Sequence, residues 1–203
     1  DFTIANETVK NLPGGNQGIK TAWFDCVGCC GDHQLFMGVG TGPPNIIMSE
    51  SGLSNAFADV PGNWGCINIT DVVAADPDLI VIVNASWDTA LEKLQFMHNN
   101  SDFCTSRAVR QGKYVTVPFS GSTLSPRNGA VSLDLASMAS HVLSGNIAMN
   151  FESGVSDMTD AYITSGTAGL LCPFTAASAE PDSSSSDDDD DNTSLIIGVC
   201  VAE

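Results

Sequence analysis

Leu79-Ile80-Val81-Ile82-Val83 is an unbroken apolar run, β-branched at every position after the first. A strand with one wet face alternates apolar and polar residues. One that is apolar throughout suits the middle of a parallel sheet covered by helices on both sides. Asp76-Pro77-Asp78 breaks the chain just ahead of it, after a short helix over Val72 and Val73 that Asn68 or Thr70 can cap. Downstream, Asp88 begins a helix through Leu91, Leu94 and Met97, and a shorter helix lies around Ser106 to Arg110. Lys113-Tyr114-Val115-Thr116-Val117 then reads as a strand stopped by Pro118. After the loop from Phe119 to Pro126, apolar residues at Val131, Leu135, Met138 and Val142 mark a last amphipathic helix.

The same rhythm extends upstream. Thr21-Ala22-Trp23-Phe24-Asp25-Cys26 suits a buried strand, and Leu35-Phe36-Met37-Gly38-Val39-Gly40 leads into the turn Gly40-Thr41-Gly42-Pro43-Pro44. Pro44 or Asn45 can open a helix through Ile46, Ile47, Met48 and Leu53, since proline is tolerated in a first turn. Asn55 to Val60 reads as a short extended segment ended by Pro61-Gly62. Strand and helix in alternation predict an α/β domain over residues 20–143, a three-layer sandwich with a mainly parallel central sheet.

The flanks differ in character. Residues 1–19 read as a lead-in or linker, and residues 144–182, without a Lys or Arg, as a Ser/Thr/Gly-rich stalk. Residues 183–193 form an acidic spacer expected to be disordered and self-repelling. Residues 194–203 turn apolar, like the start of a membrane anchor, but are too short to span a bilayer. The N-terminus has no initiator Met, basic stretch or apolar signal segment, so the chain is expected to be a piece of a longer one.

Lys and Arg number 7 against 24 Asp and Glu, a formal net charge of −17. Such an excess excludes nucleic acid and anionic membrane surfaces as partners, because both are bound through basic side chains. The charge is concentrated: 8 of the acids follow residue 179, and the rest of the chain carries only −9. Seven cysteines, with sequons at Asn6, Asn68, Asn84, Asn99 and Asn192 as candidate glycosylation sites, favour an oxidising, secreted or cell-surface address.

Six segments in order carry a resemblance. They are Trp23-Phe24-Asp25; Val39 to Met48, with Gly40-Thr41-Gly42-Pro43-Pro44 inside it; Phe57-Ala58-Asp59-Val60-Pro61-Gly62-Asn63-Trp64; Ala75 to Val81; Trp87 to Lys93; and Val117-Pro118-Phe119-Ser120 with Pro126-Arg127-Asn128. Over residues 20–143 the chain resembles the C-terminal lobe of the iron-siderophore and vitamin B12 class of substrate-binding proteins, the helical-backbone receptors that feed ABC importers. The resemblance implies one lobe of a two-lobed protein that holds a metal chelate in the cleft between lobes. Ligand contacts would come from loops at the carboxyl ends of strands: Asp25, Thr41, Trp64, Trp87, and Phe119 through Arg127. It also implies a transporter-docking acid, carried over to Glu92, although a solvated helix face suits that residue equally. Family members usually lack cysteines at these positions, so Cys26, Cys29, Cys30, Cys66 and Cys104 are expected to form disulfides, with Cys172 tied back to the body. Seven is an odd number, and Cys200 in the apolar segment is one candidate for the remaining thiol.

Residue chemistry agrees with a receptor. Trp64, Trp87 and Phe119 offer flat apolar faces to a large planar ligand, with ordinary packing as the alternative for each tryptophan. Arg127 presents a planar donor fork for carboxylate, hydroxamate or phosphate oxygens; the alternative is a surface charge at a helix N-terminus, a poor place for a cation. No cofactor is expected, and no enzyme. Gly38-Val39-Gly40-Thr41-Gly42 lacks the spacing of a phosphate cradle, and Ser120, Ser122 and Ser125 lack a nucleophile elbow. His33, His98 and His141 read as surface histidines, and Asp187 to Asp191 lack the geometry of a calcium loop. Two rival readings stand: a thiol redox or metal-handling enzyme using Cys26 and Cys29, and a cell-surface interaction domain that has lost its ligand. A redox cysteine wants a helix N-terminus to stabilise its thiolate, and zinc wants a second ligand pair. The expected partners are thus a metal-chelate ligand and a membrane transporter or uptake receptor, with membrane contact only through the C-terminal anchor.

Overall fold

Successive side chains of a strand point to opposite faces, and the run at 79–83 divides accordingly. Leu79, Val81 and Val83 join one buried cluster and Ile80 and Ile82 the other, none more than 2% exposed. The computed structural model describes residues 18–144 and 155–157. Its strands are β1 (Ile19–Cys26), β2 (Gln34–Gly38), β3 (Leu53–Asn55), β4 (Trp64–Asn68), β5 (Leu79–Asn84), β6 (Tyr114–Pro118) and β7 (Ser156–Asp157). The helices are α1 (Pro43–Glu50), α2 (Ile69–Ala75), α3 (Ala90–His98), α4 (Arg107–Gln111) and α5 (Asn128–Ser144), with 3₁₀ turns at Ser101–Thr105 and Phe119–Gly121.

These strands form one sheet in the order β4-β2-β1-β5-β6-β7, with β3 on β1. The centre is parallel: β1 pairs with β3 and β5, and β5 with β6. Both flanks are antiparallel, β2 lying between β1 and β4 and β7 lying against β6. Because β5 occupies one edge of β1, β3 and β2 share the other, β3 beside residues 19–21 and β2 beside residues 23–26. One face is covered by Ile47 and Met48 of α1 and by Val131, Leu135, Met138 and Val142 of α5. The other is covered by Val72 of α2, Leu94 and Met97 of α3, Phe103, and Ala108 and Val109 of α4. The expected three layers are present. Each large aliphatic side chain buried in this way stabilises the fold by roughly 1.5–3 kcal/mol.

The break before β5 has a further task. Asp76 ends α2 in the left-handed region, at φ 40°, and its Oδ1 accepts the Arg107 N–H that opens α4. Asp78 accepts both the Lys20 N–H at 3.0 Å and the Arg107 guanidinium at 2.6 Å. Two carboxylates thus tie the starts of β1 and α4 to the loop that feeds the central strand.

Several local expectations need correction. Leu53 does not belong to α1, which ends at Glu50; it opens β3, and turns follow Asn55 where an extended segment is expected. The Trp64 loop is the start of β4. Thr89, not Asp88, is the N-cap of α3. His98 is no surface histidine: it is fully buried, with Nε2 2.8 Å from the Tyr114 hydroxyl. Within the span read as a stalk, Val155 is buried in the core beside α5 and Ser156–Asp157 adds a strand to β6. The remainder of the stalk, the acidic spacer, the apolar anchor and nearly all of the lead-in lie outside the described residues. Among the described residues no helix is long and apolar enough to cross a membrane.

Truncating the central strand is the sharpest test of this layering. Ile82→Ala, at a site with 0% exposure, should lower unfolding free energy by about 2–5 kcal/mol. In urea denaturation the midpoint should fall with little change in slope. A loss no larger than that of an exposed substitution would contradict burial on both faces.

Candidate functional site

Parallel strands deliver their carboxyl ends to a common edge, the usual place for ligands in open α/β sheets. Here β1 ends at Asp25-Cys26, β5 at Asn84 and β6 at Pro118, with Asn84 and Pro118 in register. After β5 the chain makes a tight turn in which Ala85 and Asp88 exchange backbone hydrogen bonds, each 3.3 Å long. Ser86-Trp87 forms its tip, and Trp87 is 69% exposed. Phe119, directly after β6, meets the Trp87 ring edge-on at a centroid distance of 4.8 Å. Leu124, also 69% exposed, lies in the loop after Phe119. Trp87, Phe119 and Leu124 thus place exposed apolar side chains on the loops that follow β5 and β6.

Asp25 and Trp64 form a second group. The Trp64 indole N–H donates to Asp25 Oδ2 at 2.5 Å. Burial holds the Asp25 carboxyl above the usual aspartate range, and the Asp88 carboxylate adds to this; the Trp64 bond and the Lys93 ammonium pull the other way. The Thr41 loop is laced to the segment before Trp64: Val39 N–H donates to Asn63 O, Gly40 N–H to Phe57 O and Thr41 N–H to Gly62 O. Gly40 has φ 40°, and a Cβ there would stand 2.3 Å from Val60 O. A Cβ on Gly42 would stand 2.6 Å from the Asn63 Cα.

Thus Trp87 and Phe119 come together, Asp25 and Trp64 come together, and Thr41, exposed, sits on the loop laced beside Trp64. Arg127 is exposed just before α5, and its guanidinium forms no ion pair among the described residues. Glu92 serves its own helix. It accepts the Thr89 N–H at 2.7 Å and the Thr89 hydroxyl at 2.8 Å while its N–H donates to Thr89 Oγ1, a complete capping box. The Thr89 backbone bond, then its hydroxyl, holds the Glu92 carboxyl below the usual range.

Sequence reasoning passed over Asp88 and Lys93. Lys93 is fully buried and forms an ion pair with Asp88 at 3.0 Å. The signal was there: Lys93 shares the helical spacing of Ala90, Leu94 and Met97, where an apolar residue belongs.

The cysteines pair Cys26–Cys29 and Cys30–Cys66, and Cys104 is also disulfide-bonded. Cys172 and Cys200 lie outside the described residues. Cys26 ends a strand and Cys29 sits in a bend, so neither occupies the helix N-terminus that a redox thiolate wants. Among the described residues no three His, Cys, Asp or Glu side chains converge as a metal site. The sequon asparagines Asn68, Asn84 and Asn99 are exposed, and Asn6 and Asn192 lie outside the described residues.

Two outcomes follow from this geometry. Asp25 titrates higher in the folded protein than in the unfolded chain, so its protonated form favours the fold. That contribution is complete below the ordinary aspartate range and is lost as pH rises through the folded value. In Asp25→Asn this fall should vanish when urea midpoints are compared from about pH 3 to pH 7; matching pH profiles would show that burial does not shift Asp25. Separately, Gly40→Ala should cost about 1–3 kcal/mol, because Cβ strain at positive φ adds to the clash with Val60 O. Thermal unfolding measures it, and an unchanged Tm would mean the two loops are not laced.

No family model matches this sequence, and no curated protein does. Solved structures do match in fold. A periplasmic binding protein from Veillonella parvula is 19% identical, with 72% of this chain and 48% of that one covered at a TM-score of 0.54. A periplasmic heme-binding protein from Pseudomonas aeruginosa is 14% identical, with coverage of 77% and 54% and a TM-score of 0.56. A siderophore-binding protein from Vibrio cholerae, solved with Fe3+-Desferal, is 12% identical, with coverage of 70% and 51% and a TM-score of 0.53. The chain spans about half the length of these structures, and its described residues have the α/β fold of that half of a periplasmic binding protein.

Proposed function

We propose that this chain is one lobe of an extracytoplasmic solute receptor that binds a metal chelate reversibly and performs no chemistry on it. The observation that carries the reading is the exposed Trp87–Phe119 pair at the carboxyl ends of β5 and β6. The fold supports it, since proteins sharing it include one described as heme-binding and one solved with a ferric siderophore. A flat macrocycle or a compact ferric chelate presents the broad apolar surface that two edge-packed rings can cover. Leu124 extends that surface, Arg127 supplies a donor fork for the ligand's anionic oxygens, and Thr41, Asp25 and Trp64 line the neighbouring loop.

Disulfides among the described residues favour an oxidising compartment. Within this reading the exposed Asn68, Asn84 and Asn99 carry glycans, and a membrane transporter or uptake receptor takes over the cargo. Glu92 is a weaker docking candidate than the family pattern implies, since its capping bonds already occupy one carboxylate oxygen.

Titrating the oxidised two-lobed receptor that carries this lobe with hemin, a ferric trihydroxamate and cobalamin while following tryptophan emission tests the reading. At least one should quench saturably, and Trp87→Ala or Phe119→Ala should weaken that ligand by about tenfold or more, as loss of a buried aromatic contact does. Absence of saturable binding to all three, or full affinity in both variants, would overturn it.

A further inference from the structure

Lys93 occupies a position on α3 that an apolar side chain could fill without the cost of desolvating a charge. Its ammonium group has three N–H donors, and all three are directed toward the ligand edge. They reach Val83 O at 2.7 Å, Asp88 O at 2.6 Å and Asp88 Oδ2 at 3.0 Å. Val83 lies at the end of β5, and Asp88 closes the turn that presents Trp87. Asp88 Oδ2 accepts a second bond, from the Val27 N–H at 3.1 Å, so the same carboxylate anchors the Cys26–Cys29 loop. Asn84 Oδ1 meanwhile accepts the Ala90 N–H at 3.1 Å, closing the other side of the turn.

Together these bonds surround a dipeptide, Ser86-Trp87, whose own side chains are exposed. Such a tip would ordinarily be the loosest part of an edge, with few packed neighbours to hold it. Here the backbone on each side of it is fixed by a buried cation from below. We propose that Lys93 is a positioning residue for the ligand site: its ammonium, with Asp88, pre-sets the turn so that Trp87 stands against Phe119 before any ligand arrives. Preorganisation of this kind raises affinity by removing the ordering that binding would otherwise require. The inference rests on the receptor reading for its purpose, yet the position of Trp87 can be read without a ligand.

The oxidised chain labelled with 5-fluorotryptophan gives one ¹⁹F resonance each for Trp23, Trp64 and Trp87, assigned with Trp87→Phe and Trp64→Phe. Lys93→Met/Asp88→Asn removes both charges, leaving neither unpaired. The Trp87 resonance should shift toward that of free fluorotryptophan, and amide exchange at Asp88 should quicken about tenfold. The Trp23 resonance, from the core, should stay in place. Asp88→Asn alone keeps the two carbonyl bonds of Lys93 and should give a smaller change of the same kind; it also decides the matter if the double variant does not fold. An unmoved Trp87 resonance with unchanged Asp88 exchange in a folded variant would overturn the proposal. So would a shift of Trp23 equal to that of Trp87, which would mark Lys93 as a general core residue. Failure of the ligand titrations with these spectra intact would count against the receptor reading alone.

Discussion

Everything in this chain is arranged around the need to dry both faces of one strand. A single layer cannot cover β5, because its side chains alternate and the first five, Leu79 to Val83, are all apolar and buried. One cover comes from α1 and α5 and the other from α2, α3 and α4, so helices must be drawn from both ends of the sequence. The parallel centre follows, since helices that cross a sheet return the chain to the same end. That same constraint gathers the ends of β1, β5 and β6 at one edge, where short loops can carry side chains that packing does not need. Site and core are thus consequences of one pattern.

The framework was legible where periodicity is strong. The five apolar residues at 79–83, the spacing of Val131, Leu135, Met138 and Val142, and the break at Asp76-Pro77-Asp78 each have one good structural solution. Short elements were not legible. β3 and β4 have three and five residues, their pattern is weak, and each exists only against a partner strand, β3 against β1 and β4 against β2. Nor does a local pattern say that a segment near residue 156 returns to β6, because a two-residue strand is specified by its partner.

The candidate site divides along the same line. Aromatic residues at strand ends could be picked out from their type and position, and Trp87 with Phe119 do meet. Pairwise use could not. Trp64 and Asp25 are bonded to each other, and Glu92 is bonded to Thr89, so residues nominated as open contacts already have partners. The opposite error befell His98, read as a surface histidine yet buried against Tyr114; Lys93, passed over in the sequence, is likewise buried and satisfied. Charge and composition tell where a residue is usually found. Only the face of the element it occupies tells where it is.

The lacing of residues 39–41 to residues 57–63 limits how either loop can be altered. With Gly40 and Gly42 pressed against the backbone of Val60, Gly62 and Asn63, neither loop can lengthen or gain a side chain at those points unless the other changes in step. The two are mechanically one unit. A change in the surface chemistry of this edge would therefore cost least at Ser86-Trp87 and in the stretch after Phe119, whose exposed side chains carry none of the contacts that fix these two loops.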